Sequence, residues 1–353
     1  MILQTLYFNF HEIAGVRIIT EDNHAADFFA SEYRHHRCES LPASLPHVSL
    51  NFHKSSVWAK PGYTRHVHKV VARWDYTLSI SPQIIEIDVY GNSLAIPMIH
   101  HMLIHPGLRY LASCHGHLLL HAAAVTRDGR SLILTGKGGV GKTTTASLVL
   151  SAGGSAWGIQ GDDYVFLGED GRSRMYLTRA HLYRDLVKWI PAVGERLTPG
   201  ERQRLAIFGA IRQRSGERIK WPVRIDLDVL WEGRDLIPEA VPAAIILLDK
   251  EDIRTPKLSV VPITEEFAER LLEINDFEAR HFRALLHKSK AVENMESFID
   301  GWRDREKKIL NRFLAHTPAY LLTLPSSRTV SNSVGQDLIT ALSKLIIPTL
   351  EKA

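Results

Sequence analysis

Residues 1–92 alternate apolar and polar positions in short runs. The stretches 48–52, 78–80 and 84–90 are β-branched or alternating, with Pro82 and Gly91 as punctuation, so this segment is expected to be rich in strands. Over residues 93–116 the pattern turns helical, with Pro97 and Pro106 setting two helix starts. Residues 117–125 read as one strand, 127–130 as a hairpin turn and 131–135 as a second strand. A glycine-rich loop follows at 136–142, then a helix over 143–152 closed by Gly153 and Gly154. Asp162 and Asp163 precede a strand at 164–167, and 243–248 is a continuous apolar run typical of a buried strand. Phe267, Leu271, Ile274, Phe282 and Leu285 recur at helical spacing. A second helical stretch runs from about 293 to 316, 319–324 is a closing strand, and 334–350 is an amphipathic helix. Strands and helices alternate with hairpins among them, which predicts an α/β fold with a mixed sheet.

Composition narrows the class. The chain has 353 residues, which at roughly 150 residues per domain suggests about two domains. With 45% hydrophobic and 23% charged residues, wholesale disorder is excluded. A net charge of +4 is too small to imply nucleic acid as a partner. Two cysteines, Cys38 and Cys114, make neither a disulfide framework nor a thiolate metal cage. Apolar stretches such as 240–248 fall far short of the ~20 residues that span a bilayer. The opening residues carry no basic region and no cleavage pattern of a signal peptide. The expectation is a cytoplasmic protein with no membrane partner.

The loop carries the chemistry. Gly136, Lys137, Gly138, Gly139, Val140, Gly141, Lys142 and Thr143 fit G-x-x-x-x-G-K-[ST] in full, between a predicted strand and a predicted helix. Glycines let successive backbone N–H groups turn inward as an anion nest, and the helix N-terminus adds partial positive charge. Lys142 is placed to reach β/γ-phosphates, Thr143 to sit on Mg²⁺, and Thr144 to flank them. The cofactors expected are ATP and Mg²⁺. ATP is preferred because no guanine-reading N-K-x-D motif accompanies the loop.

Two resemblances follow from these residues. The loop is also K-G-G-x-G-K-T, and so resembles that of the plasmid-partitioning, septum-positioning and nitrogenase-iron-protein ATPases. That resemblance implies a dimer in which Lys137 reaches the partner's nucleotide. Against it, 135 residues precede the loop, and Asp162 and Asp163 precede a strand where that family ends one in an acidic residue. The stronger resemblance is to the HPr kinase/phosphorylase catalytic domain and its stand-alone serine-kinase-like relatives. It rests on His121, 21 residues before Lys142, on the loop itself, and on Gly161-Asp162-Asp163-Tyr164 close after the loop helix. The resemblance implies that Asp163 deprotonates a serine hydroxyl and that His121 lies by the transferring phosphate. It also places an arginine about 80 residues after the loop lysine, where Arg224 stands 82 after Lys142. The family's Glu-Arg-Gly segment has no match here, and its classical N-terminal domain is not evident in 1–92, so HPr itself is not the expected acceptor. Some relatives phosphorylate ribosomally made precursor peptides.

The physical chemistry stands beside the resemblance. Phosphoryl transfer needs a metal, charge neutralisation and a residue that orients or deprotonates the nucleophile. Two adjacent aspartates can divide those tasks, Asp162 on the metal and Asp163 as the base, although Asp and Gly also make plain turns before strands.

Other features have two readings. His101 and His105 are spaced i, i+4, and His115, His117 and His121 share one strand face, yet no acidic or cysteine partner stands at a ligand spacing. Residues 201–224 carry Arg202, Arg204, Arg212, Arg214, Arg218, Lys220 and Arg224 against Glu201 and Glu217. They form either a solvated face or a flap that clamps phosphates or an acidic peptide, with Arg179, Arg218, Lys220 and Arg224 as candidates. Residues 244–249 have the form of a Walker B strand ending in Asp249, or of an ordinary central strand.

The reading that results is an α/β protein with an HPr-kinase-like P-loop core over 93–330, a strand-rich segment over 1–92 and a terminal helix over 331–353. It is expected to be an ATP-dependent serine kinase. Its catalytic residues would be Asp163, His121, Lys142 and Arg224, its metal ligands Thr143 and Asp162, and its partner a peptide or protein bearing a serine hydroxyl. A homo-oligomer is left open. The alternatives are a dimeric regulatory ATPase and a non-catalytic nucleotide-binding module.

Overall fold

The structure, a computed structural model, describes residues 2–55, 59–68, 71–216, 221–253, 255–325 and 333–346. It is α/β with mixed sheets, and the chain divides into two compact units that interleave along the sequence. The first unit comprises 1–121, 166–170 and 264–315, and the second 122–165, 171–263 and 316–353. Residues 93–121 and 264–315, expected with the catalytic domain, therefore cluster with the N-terminal sheet.

The first unit is built on seven strands in the order Arg37–Cys38, Gln4–Phe10, Ala14–Thr20, His47–Lys54, Ile84–Gly91, Ala72–Ile80, Thr64–His68. The three strands expected at 48–52, 78–80 and 84–90 are present and longer than their apolar cores. The helical pattern at 93–116 forms a continuous stretch in segments. Between Ile96–Ile99 and His105–Cys114 the helix widens to a π segment, His100–Ile104, where His105 N–H donates to His100 O. Pro106 follows at once, and the wider turn relieves the clash its ring would make with the preceding turn. The apolar residues at 267–285 split into two helices, Glu265–Glu278 and Arg280–Ser289, and Met295–Leu314 follows.

An ion cluster holds these helices. Arg109 Nε donates to Glu306 Oε1 at 2.6 Å, and Arg109 Nη1 donates to Asn275 O at 2.5 Å. Trp302 Nε1 donates to the same Glu306 oxygen at 3.0 Å, and both charged groups are buried. Such a pair keeps its value only while both partners and their hydrogen bonds stay in place.

The strand expected over 117–125 is broken. Asn275 Oδ1 accepts from His121 N–H at 2.8 Å, and Asn275 Nδ2 donates to Leu119 O at 3.1 Å. These side-chain bonds replace ladder bonds, so the chain bends at His121 between His117–Leu120 and Ala122–Arg127. His115 caps the preceding helix, and His115, His117 and His121 do not share one strand face. His101 and His105 make no isolated pair either: His105 Nε2 lies 2.8 Å from His100 Nε2 in a buried aromatic cluster.

In the second unit Ala122–Arg127 and Arg130–Thr135 form the predicted hairpin. Its turn residues Asp128 and Gly129 both have positive φ, at 51° and 72°, the backbone a two-residue turn between twisted strands requires. Arg130–Thr135 runs parallel to Glu239–Glu251, which runs parallel to Ala319–Pro325. Lys257–Val260 adds an antiparallel strand beyond the last. On the other side Trp157–Gly161 pairs antiparallel with Ala122–Arg127. The helices Lys142–Ala152 and Ser333–Ile346 pack together, and Ala146, Val149, Leu150, Leu338 and Leu342 join Leu132, Leu134, Ala244 and Ile246 in one core. Residues 347–350 of the expected terminal helix lie outside the described residues. No helix among the described residues is long and apolar enough to cross a membrane.

Candidate active site

Strand direction sets the site. Arg130–Thr135, Trp157–Gly161 and Glu239–Glu251 all run the same way across the second unit's sheet. Their C-terminal ends therefore put the 136–143 loop, Asp162–Asp163 and Asp249 along one sheet edge, the place where ligands bind in α/β sheets.

The loop needs its glycines. Gly136 has φ 150°, and a Cβ there would stand 2.9 Å from Val140 Cγ1 and 3.0 Å from Leu248 O. Gly139 and Gly141 take φ of 80° and 116°, which other residues adopt only under strain. Val140 N–H donates to Lys137 O at 3.1 Å, and Thr145 N–H donates to Gly141 O at 2.8 Å. Among the described residues no side chain caps Lys142–Ala152, so its leading N–H groups remain for an anion. Lys142 is buried at 6% exposure, and its Nζ donates to Gly136 O at 3.0 Å. Lys137, Gly138 and Gly139 are exposed, and Val140, Thr143 and Thr144 are half-buried. Lys250 Nζ donates to Gly139 O at 3.2 Å.

The carboxylates meet this loop. Gly161 ends its strand in a turn so tight that a Cβ would stand 2.3 Å from Tyr164 O. Ala122 N–H donates to Asp163 O at 3.0 Å, which anchors the turn to the hairpin strand beside the loop. Asp162 is buried at 5% exposure and hydrogen-bonds the Thr143 hydroxyl. Burial, then the Asp163 charge, pushes its carboxyl up to about 7, while the Thr143 bond, His181 and Lys142 pull it down. Asp162 Oδ1 is buried without a hydrogen-bond partner among the described residues. A buried carboxylate oxygen with no donor among the described residues, next to the Thr143 hydroxyl, fits a divalent cation in its donor chemistry. Among the described residues no three His, Cys, Asp or Glu side chains form a ready metal cage.

Asp163 is half-buried, and its Oδ2 lies 3.2 Å from His181 Nδ1. His181 sits on Ala180–Leu182, directly opposite Arg224 on Val223–Ile225. Arg179 braces that pair: its Nη2 donates to Arg224 O at 2.9 Å, and its Nε lies 3.1 Å from Asp226 Oδ1. Tyr183 is next. Burial, then the Asp163 charge, raises its phenol, while Arg212 and Arg224 act the other way. The Arg212 guanidinium stands 5.4 Å over the Tyr183 ring.

The second unit thus brings Lys142, Thr143, Asp162, Asp163 and Arg224 to one end of its sheet. His121 belongs to the first unit. Asp249 lies two residues past the Leu247–Thr135 register, beside the loop, and its Oδ1 accepts from Lys250 N–H at 2.9 Å. The described part of the basic stretch forms regular elements. A capping box between Thr198 and Glu201 starts the helix Pro199–Arg214, and Val223–Ile225 is a strand. Arg218 and Lys220 lie outside the described residues. Sequence reasoning missed Trp157–Gly161, which directly precedes Asp162, and it missed His181. The signal for His181 was the alternation of Arg179, His181 and Tyr183, which puts polar and aromatic tips on one strand face. The chain matches no protein-family model, and none of the curated proteins it was compared with.

Proposed function

We propose that this chain is an ATP-dependent phosphotransferase with an HPr-kinase-like P-loop core, acting on a serine hydroxyl of a peptide or protein. One observation carries the reading: Asp163, one residue after the buried Asp162 that lies on Thr143 at the mouth of the loop, has His181 Nδ1 3.2 Å from its Oδ2, an acid–base pair beside the residues that would hold a metal. Thr143 and Asp162 would hold Mg²⁺, which when bound neutralises phosphate charge. The loop N–H groups and Lys142 bind and orient the phosphates, and Arg224 adds positive charge on the Asp163 side. Asp163 serves deprotonation of the acceptor, as a carboxylate within reach of the site. The exposed arginines of Pro199–Arg214, Arg202, Arg204 and Arg214, favour an acidic acceptor segment over a basic one. The test is incubation of the full chain with γ-labelled ATP and serine peptides. Label on peptide supports the reading, and label neither on peptide nor released to water refutes it.

The rival reading, a dimeric ATPase using Lys137 in trans, has its own support. Lys137 is exposed, and the strand Trp157–Gly161 ends directly in Asp162. Release of label to water only, lost on Lys137→Ala, would favour it.

A further inference from the structure

We propose that the acceptor's proton is taken by His181 Nε2, with Asp163 acting through the ring as its anchor. The proposal rests on the phosphotransfer reading above and deepens it by naming the base. The geometry is that of a carboxylate–imidazole dyad. Asp163 Oδ2 stands 3.2 Å from His181 Nδ1. With Asp163 Oδ2 accepting at Nδ1, the ring's free lone pair lies on Nε2. Nε2 is buried and has no hydrogen-bond partner among the described residues. A buried acceptor left in that state costs stability, and an incoming hydroxyl satisfies it.

The surroundings fix the ring. His181 lies in a short two-stranded ladder, opposite Arg224, and Arg179 ties the far side of that ladder through Arg224 O and Asp226. His181 is also within electrostatic reach of Asp162, which hydrogen-bonds Thr143 of the loop. The dyad therefore lies near the carboxylate that hydrogen-bonds the loop's Thr143. Asp163 already spends one oxygen on Nδ1, which suits it to orienting a base and stabilising the imidazolium that forms.

The step balances. The acceptor O–H bond breaks and its proton passes to His181 Nε2. The acceptor oxygen forms a bond to the γ-phosphorus as the bond to the nucleoside diphosphate oxygen breaks. The imidazolium, held by Asp163, later returns its proton to water.

The test uses the full chain, γ-labelled ATP with Mg²⁺ and a serine-centred peptide library, reading total label on peptide. His181→Gln and Asp163→Asn should each lower transfer by ~10²–10⁴-fold with MgATP affinity kept, the range for loss of general-base catalysis. The double variant should be no slower than the slower single, because the two side chains act as one unit. His181→Gly should regain part of the transfer on addition of imidazole, which a packing role would not allow. A His181→Gln chain within tenfold of the parent rate, beside a disabled Asp163→Asn chain, would make Asp163 the base and overturn the proposal. Absence of transfer by the parent chain, to peptide or to water, would remove the phosphotransfer reading itself.

Discussion

Asp162→Asn tests whether a buried carboxylate at the loop is held against its own stability. The folded chain raises Asp162 from an ordinary value of 3.8 to about 7, by burial first and the Asp163 charge second. Between those values the folded protein keeps a proton that the unfolded chain has lost, so stability falls as pH rises through this window. From pH 5 to pH 8 about two pH units of that linkage are traversed, worth ~2–3 kcal/mol at roughly 1.4 kcal/mol per unit. Asparagine keeps the shape and an oxygen for Thr143 but does not titrate, so the variant loses this part of the slope. A fixed cost from the new amide is the same at both pH values and cancels. The assay is urea unfolding of parent and variant at pH 5 and pH 8, in EDTA without nucleotide, followed by tryptophan emission; Trp157 is buried in the second unit's core. The parent should weaken by ~2–3 kcal/mol more than the variant over this range. MgATP at pH 8 should then stabilise the parent more than the variant, since binding to the folded state adds stability by mass action. Equal pH slopes in the two proteins would refute a strongly raised Asp162.

Three further outcomes follow from the same structure. Lys142→Ala removes a cation whose charge-assisted contacts are worth about 1.5–3 kcal/mol each, so nucleotide-dependent thermal stabilisation and turnover should both vanish; an unchanged ATP titration would sink the P-loop assignment. Lys137→Ala should change the rate by less than about tenfold, because an exposed flanking lysine adds little to a monomeric site, and steady-state kinetics decides it. Arg109→Ala leaves Glu306 buried without its partner and should cost about 3–5 kcal/mol in urea unfolding, with the first unit's helices losing hydrogen-exchange protection first.

The elements with short-range causes were legible. The hairpin at 127–130 announces itself through Asp128 and Gly129, because positive φ at two successive positions is a local demand. The loop is legible for the same reason, since its glycines, lysine and threonine act within a few residues of one another. What escaped depends on distant partners. The bend at His121 is made by Asn275, 154 residues away, and nothing near 117–125 announces it. Trp157–Gly161 carries two glycines and only two apolar positions, Trp157 and Ile159, to mark it, yet it pairs with the hairpin through a register shift after Ile159. The units interleave because strands and helices far apart in sequence share a core, an arrangement that linear segmentation at 92 and 330 does not express. His181 is invisible as a site residue until the ladder with Val223–Ile225 exists, because Asp163 and Arg224 reach it from both sides of the chain.

Asp162 does not separate the two readings of the loop, since a kinase and a dimeric ATPase both need a carboxylate near the metal. The discriminating residues lie elsewhere. An ATPase completed by a partner's lysine places its essential cation on the exposed side, where Lys137 stands. The kinase proposed here would keep its nucleophile's proton acceptor and its extra positive charge within one chain. In the second unit the short ladder Ala180–Leu182 against Val223–Ile225 carries His181 and Arg224 as directly opposed residues, with Arg179 and Asp226 bracing it. The residues flanking that pair, Ala180, Leu182, Val223 and Ile225, are buried in the unit's core, so the ladder is fixed by packing. On the kinase reading, the imidazole beside Asp163, whose second nitrogen has no hydrogen-bond partner among the described residues, is the acceptor for the nucleophile's proton. That arrangement within one chain is the ground on which the kinase is proposed over the dimeric ATPase, and the fate of the γ-label decides between them.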